Sequence, residues 1–185
     1  MRRRALSTVT PVGALVATWL ALDQATKLIA VQQLRESVTI IPGLLNLTLS
    51  FNTGALFGWL ADADNSWRRL VLIAVPFLAV IVIGVLLART PVRQALSRIG
   101  LSLILGGAGG NLVDRILFDR VTDFFDVYAG WSPARDILEF FFGVNRWPTF
   151  NVADMGLTCG ASLLIIDALR RRTPAPDESS APVPD

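Results

Sequence analysis

The stretch Leu105-Gly106-Gly107-Ala108-Gly109-Gly110-Asn111-Leu112-Val113-Asp114-Arg115 sits inside an apolar run from Ile99 to about Phe118. A run of that length, wound as a helix, crosses the hydrocarbon core of a bilayer. Its glycines let a second helix backbone approach closely, and in lipid such small residues mark helix contacts. Gly107, Asn111 and Asp114 stand at i, i+4 and i+7 and share one face. The pattern predicts a packing seam with an Asn and an Asp pointing into it, each needing a partner. Arg115 projects to the side of Asp114 and need not be that partner. Asp114 is therefore assigned to a hydrogen-bonded network rather than to chemistry.

The rest of the chain agrees with a membrane setting. Apolar residues make up 52% of the 185 residues and charged ones 17%, with a mean hydropathy of +0.52, too oily for an ordinary soluble domain. Pro11–Ala30, Leu70–Ala88 and Phe150–Leu169 are the other three stretches long enough to span. Arg2, Arg3 and Arg4 precede the first span, Arg89, Arg93 and Arg98 separate the second from the third, and Arg170, Arg171 and Arg172 follow the fourth. Positively charged short loops stay inside, so both termini and the middle loop are expected in the cytoplasm. The connections 31–69 and 119–149 carry acids and Trp59, Trp67, Trp131 and Trp147, as suits an outer interface. One four-helix transmembrane domain over residues 1–172 follows, with no internal repeat. Residues 173–185 hold Pro, Ala, Ser and acid and are expected to be a disordered cytoplasmic tail.

An arginine-led start before an apolar run also describes a cleavable signal peptide. Asp23, Gln24 and Lys27, the chain's single lysine, argue for a retained span. Asp23 and Lys27, four apart, are in the favoured order for a helical ion pair. Cys159, among Leu157, Gly160 and Ala161, is read as buried and inert packing. With no histidine and one cysteine, zinc sites built on those residues are excluded, as are Ser-His and Cys-His catalysis. A hydrolase here works through carboxylates or a Ser-Lys pair.

Leu45–Asn52 alternates apolar and polar residues and is predicted as an extracytoplasmic strand or small sheet that breaks at Thr53-Gly54. Asn52 and Gly54 at its end are candidates for a groove wall meeting an extended peptide. Ala134–Phe142 has charged and apolar residues at helical spacing and is predicted as an interfacial amphipathic helix. The fold class is thus an all-α membrane protein of four spans with a small extracytoplasmic β element and an interfacial helix. Asp123, just past the third span, has apolar neighbours that raise a carboxyl pKa; a plain cap of a helix or turn is the competing reading. Asn151 and Asp154 share a face at the start of the fourth span, where the macrodipole favours an acid. An ionisable group near lipid marks a functional site by default.

Five blocks, taken together, resemble the lipoprotein signal peptidases, or signal peptidase II, the integral-membrane aspartic peptidases of bacteria. They are Asp23-Gln24-Ala25-Thr26-Lys27, Phe51-Asn52-Thr53-Gly54-Ala55-Leu56-Phe57-Gly58, Gly106 through Arg115, Val121-Thr122-Asp123-Phe124 and Phe150-Asn151-Val152-Ala153-Asp154. The resemblance implies a plasma-membrane enzyme, active at the outer face, that cuts diacylglyceryl prolipoproteins before the lipidated cysteine. It implies catalytic aspartates at Asp123 and Asp154, with Asn52, Gly54, Asn111, Arg115, Asn151, Asp23 and Lys27 around substrate or dyad. Membrane lipid and globomycin-type cyclic peptides are the other implied partners; no cofactor, metal or nucleic acid is expected. Leu56 stands where the family usually has Ala, and the stretch between the two aspartates is longer than the family's. A proton-coupled carrier, a membrane scaffold and a Ser-Lys peptidase based on Lys27 are the rival classes; the carrier is disfavoured because its acids usually lie near the midplane of repeated, broken helices.

Overall fold

The structure, a computed structural model, describes residues 2–54 and 65–172. Its elements are α1 (Arg2–Gln33), β1 (Val38–Ile41), β2 (Leu45–Asn52), α2 (Asn65–Arg89), α3 (Ala95–Phe118), β3 (Val121–Val127), α4 (Ala134–Phe142) and α5 (Val152–Arg172). Among the described residues, four helices carry segments long and apolar enough to cross a membrane: Pro11–Gln33, Trp67–Arg89, Ala95–Phe118 and Val152–Arg171. The result is a helical membrane protein with a small three-stranded sheet. Leu56, Trp59 and the expected tail from Thr173 onward lie outside the described residues.

α3 is the hub, packing against α1, α2 and α5. Its glycines explain how. A Cβ on Gly100 would sit 2.8 Å from the Gly160 carbonyl oxygen of α5, one on Gly107 would collide with the Ala153 carbonyl, and one on Gly110 would collide with the Asp23 carboxylate of α1. α1 meets α5 in the same way, with the Trp19 indole lying on Gly156 and its Nε1–H donating to the Val152 carbonyl at 3.2 Å. Water offers no driving force between helices in lipid, so close backbone contact of this kind supplies the packing. α2, by contrast, presents Leu70, Val75, Phe77, Leu78, Ile81 and Val82 outward, the surface that lipid covers.

α3 ends at Asp119, which takes up the left-handed conformation at φ 57° and returns its N–H to the Arg115 carbonyl at 3.1 Å. Aspartate tolerates this conformation better than most residues. The turn launches β3 two residues later. The sheet runs β1-β2-β3, all antiparallel, with Asn52 opposite Val121 and Ser50 opposite Asp123. On the other edge of β3 the chain returning from α4 lies alongside. Phe125 and Phe150 exchange backbone hydrogen bonds at 2.8 and 3.0 Å, and Trp147 N–H donates to the Val127 carbonyl at 2.9 Å. Phe150 is therefore bridged to a strand rather than inside the fourth span, which begins at Val152.

Two expectations are corrected. Asp123 is neither a helix cap nor a turn residue but the third position of β3, buried between β2 and the 145–150 segment. Cys159 is exposed on α5, so it faces outward from the protein instead of packing within it.

Candidate active site

Ala30, Phe124 and Val152 meet at one rim of the bundle, with Trp19, Leu34, Leu47, Leu49 and Phe125 packed around them. This cluster fixes α1, β3 and the start of α5 against one another. Ionisable side chains converge directly behind it.

The start of α5 is a reciprocal cap. Asn151 Oδ1 accepts the Asp154 N–H at 3.0 Å while an Asp154 carboxylate oxygen accepts the Asn151 N–H at 3.1 Å. This is the capping-box arrangement with amide and acid in the two roles. The next free donor, Ala153 N–H, is taken by Asp23 Oδ1 of α1 at 2.8 Å. Each orphan N–H of the first turn satisfied this way holds Asp154 in place.

Asn151 also reaches the other carboxylate. Its side-chain NH2 donates to Asp123 Oδ1 at 2.7 Å, with the Asn111 Oδ1 and Thr122 carbonyl oxygens at 3.1 and 3.2 Å. Asn111 donates from Nδ2 to Asp154 Oδ1 at 2.8 Å. Asn52 accepts the Gly54 N–H at 3.0 Å on its Oδ1 and hydrogen-bonds Asp123 through its amide. A single connected set of amides thus spans Asp123 and Asp154.

Behind Asn111 lies a fully buried charge cluster. Lys27 Nζ contacts Asp23 Oδ2 at 2.9 Å, Asp114 Oδ2 at 3.3 Å and Asn111 Oδ1 at 2.9 Å. Those three directions use all three donors of the ammonium, which leaves a serine-activating role for Lys27 without support. Asp114 further accepts from Gln24 Nε2 at 3.0 Å and from the Thr122 N–H at 2.9 Å. The latter bond ties α3 to β3 one residue before Asp123. Gln24 and Thr122 are members that sequence reading did not assign; a glutamine beside an aspartate in an apolar helix was the available signal for the first.

Asp123 and Asp154 line one cavity of about 300 Å³ together with Asn52, Asn111, Arg115 and a wall from Trp147 through Phe150. Gly54, Asp23, Lys27, Asp114 and Asn151 do not line it; the last four support it from behind. Arg115 lies near enough to Asp154, Asp123 and Asp114 to interact with their charges. Burial and, next, the charge of Asp154 push the Asp123 carboxyl up to about 7, against the hydrogen bond from Asn151. Among the described residues, no group of three or more His, Cys, Asp or Glu is placed to hold a metal ion. What the arrangement can do is hold one proton on a buried carboxyl beside a second carboxylate at the edge of a cavity with room for water and a peptide segment.

The family described as Signal peptidase (SPase) II matches residues 15–170. Among curated relatives, the chain is 39% identical over 163 residues to a lipoprotein signal peptidase of Maridesulfovibrio salexigens, covering 86% of this chain and 96% of that protein. It is 42% identical over 162 residues to one from Hydrogenovibrio crunogenus, covering 83% and 85%. Among solved structures it is similar to a bacterial membrane enzyme determined by the in meso method at 2.3 Å, with a TM-score of 0.71, 25% identity, and 95% and 96% of the two chains covered.

Proposed function

The chain belongs to the signal peptidase II family, and on that premise we propose that it is an aspartic endopeptidase using Asp123 and Asp154 as a water-activating pair. Membership makes it a membrane protease of lipoprotein processing, one that removes signal peptides from prolipoproteins. The finer reading, that the cut falls before the diacylglyceryl-modified cysteine, is what the family resemblance implies.

The observation that carries it is the shared cavity: two carboxylates from different elements, linked through Asn151 and Asn111, at its wall. Like charges held close do not both ionise easily, so the pair carries one proton. Asp123, raised to about 7, keeps that proton near neutral pH. Asp154, bonded to a backbone N–H and an amide at a helix N-terminus, is the ionised base. It takes a proton from water as the water attacks the scissile carbonyl; Asp123 donates to the developing oxyanion and the proton passes on to the leaving amine. No covalent intermediate forms. Asn52 and the Trp147–Phe150 segment flank the cavity where an extended peptide would lie, and Arg115 supplies positive charge within reach of the reacting oxygens.

The peptidase domain spans residues 1–172 in the bacterial plasma membrane, with both termini cytoplasmic and the cavity at the outer face. Water and a lipid-anchored peptide bond meet there. Globomycin-type cyclic peptides occupy the same cavity. The test is incubation of the purified protein with a lipidated precursor and with its unlipidated counterpart, followed by mass spectrometry of the products. Release of a peptide ending one residue before the lipidated cysteine is expected; cleavage elsewhere, or equal cleavage of the unlipidated form, overturns the reading.

A further inference from the structure

α4 is the element the catalytic reading does not use. It stands between two segments that flank the dyad: β3 precedes it, and residues 145–150 follow it back along β3 into the cap of α5. Its sequence divides into two sides. Leu138 turns toward an apolar cavity against Leu44, Val127 and Tyr128; Ile137, Phe140 and Phe141 form the outward apolar side, and Arg135, Asp136 and Glu139 form the polar side. The polar side is satisfied locally, with Ser132 Oγ donating to Asp136 at 2.6 Å and Arg135 pairing with the same carboxylate at 3.3 Å. The apolar side is not: Ile137, Phe140 and Phe141 are 52%, 81% and 70% exposed. Trp131 before the helix and Trp147 after it are 49% and 63% exposed.

The geometry points to α4 as a membrane-surface anchor whose apolar face, Ile137, Phe140 and Phe141, is seated in the headgroup–acyl boundary of the leaflet next to the active site. Three features select lipid as the occupant. The helix closes the far end of the paired β3 and 145–150 segments, whose near ends join α3 and α5, so it lies on the same end of the bundle as those span termini. Tryptophans flank it on both sides, and their rings favour the interface. A largely exposed aromatic pair such as Phe140 and Phe141, stacked edge to face at 5.1 Å, is otherwise a large apolar patch left in water. With one arginine against two acids, α4 has no cationic side. Its seat is therefore governed by apolar burial rather than by attraction to anionic headgroups, and holds in zwitterionic lipid. Since the same segment is hydrogen-bonded to β3 and runs into Asn151, this anchoring sets the depth at which the dyad cavity meets the leaflet.

The test reads lipid contact, not turnover, so it stands or falls independently of the peptidase reading. The native protein has a single cysteine, Cys159, exposed within the fourth span. Replacing it by serine and introducing Phe140→Cys or, separately, Glu139→Cys gives full-length proteins with one label site on each side of α4. With an environment-sensitive fluorophore in phosphatidylcholine vesicles, the label at 140 should be quenched several-fold more strongly by lipid spin-labelled near the headgroup than by aqueous iodide. The label at 139 should show the reverse order, and wild-type Cys159 should answer best to lipid labelled deep in the chain. The pattern at 140 should persist in high salt. Free access of iodide to position 140 would overturn the proposal. Protection from both quenchers would overturn it as well, because it would mean that protein, this chain or a second copy, covers the face; so would loss of lipid quenching in salt.

Discussion

Replacing Asp123 by asparagine should make the folded protein more stable while abolishing its activity. Asp123 is 2% exposed, and its carboxyl titrates near 7 in the fold against 3.8 for an ordinary aspartate, because burial and then the Asp154 charge disfavour ionisation. Below pH 4 the folded and unfolded chains both hold the proton, and the site costs nothing. Between 4 and 7 the unfolded chain releases it and the folded chain keeps it, so stability falls as pH rises; above 7 the full cost is present. The gap between 3.8 and about 7 corresponds to about 4 kcal/mol at most, at about 1.4 kcal/mol per pH unit. Asparagine has nearly the same shape, retains an oxygen to accept from Asn151, and has no charge to bury. Thermal unfolding in detergent from pH 4 to pH 8.5 measures the difference. The variant should melt several degrees above wild type at the alkaline end, with the two converging at the acid end. A variant that is less stable at pH 8, or a difference that does not change with pH, would refute the account of Asp123 as a carboxyl held protonated by its surroundings.

Lys27→Met leaves Asp23 and Asp114 buried without their cation and should cost about 3–5 kcal/mol, seen as a lower melting temperature in the same detergent. Gly107→Val should lose about 1–3 kcal/mol or more by driving α3 off the Ala153 carbonyl, whereas Gly109→Ala, with only the Leu20 side chain at 3.9 Å to meet, should fall within about 0.5 kcal/mol of wild type. Asn151→Ser keeps an oxygen to cap α5 and Asn151→Ala does not, so alanine should be less stable by about 1 kcal/mol. Both remove the amide that lowers the Asp123 pKa, and the alkaline limb of a pH–rate profile should move upward in both.

The four spans were legible because twenty or so apolar residues in a row have few other uses, and β2 because its alternation sets Leu47 and Leu49 against the core cluster. β3 was not. Val121-Thr122-Asp123-Phe124-Phe125-Asp126-Val127 carries no alternation, since β2 covers one edge, the 145–150 segment covers the other, and both faces are largely buried. A carboxylate in such a strand looks in sequence like one in a turn. β1 is four residues long and exposed throughout, too short to leave a pattern. Cys159 was misjudged because apolar neighbours in sequence do not distinguish a side chain facing protein from one facing lipid; the rotation of α5 about its axis decides that. The Asn151–Asp154 spacing was readable as a shared face, and the capping box makes that face rigid. Nothing local announced that the Asn151 amide would reach Asp123, since that contact depends on the Phe125–Phe150 pairing that brings two distant segments together.

The central claim is that Asp123 and Asp154 act as one unit on a water, and the most direct measurement is signal-peptide release by each single asparagine variant. Asp123→Asn and Asp154→Asn, purified folded and given the lipidated precursor under conditions where wild type completes the reaction, should each release no peptide. Efficient release by either one would contradict the account.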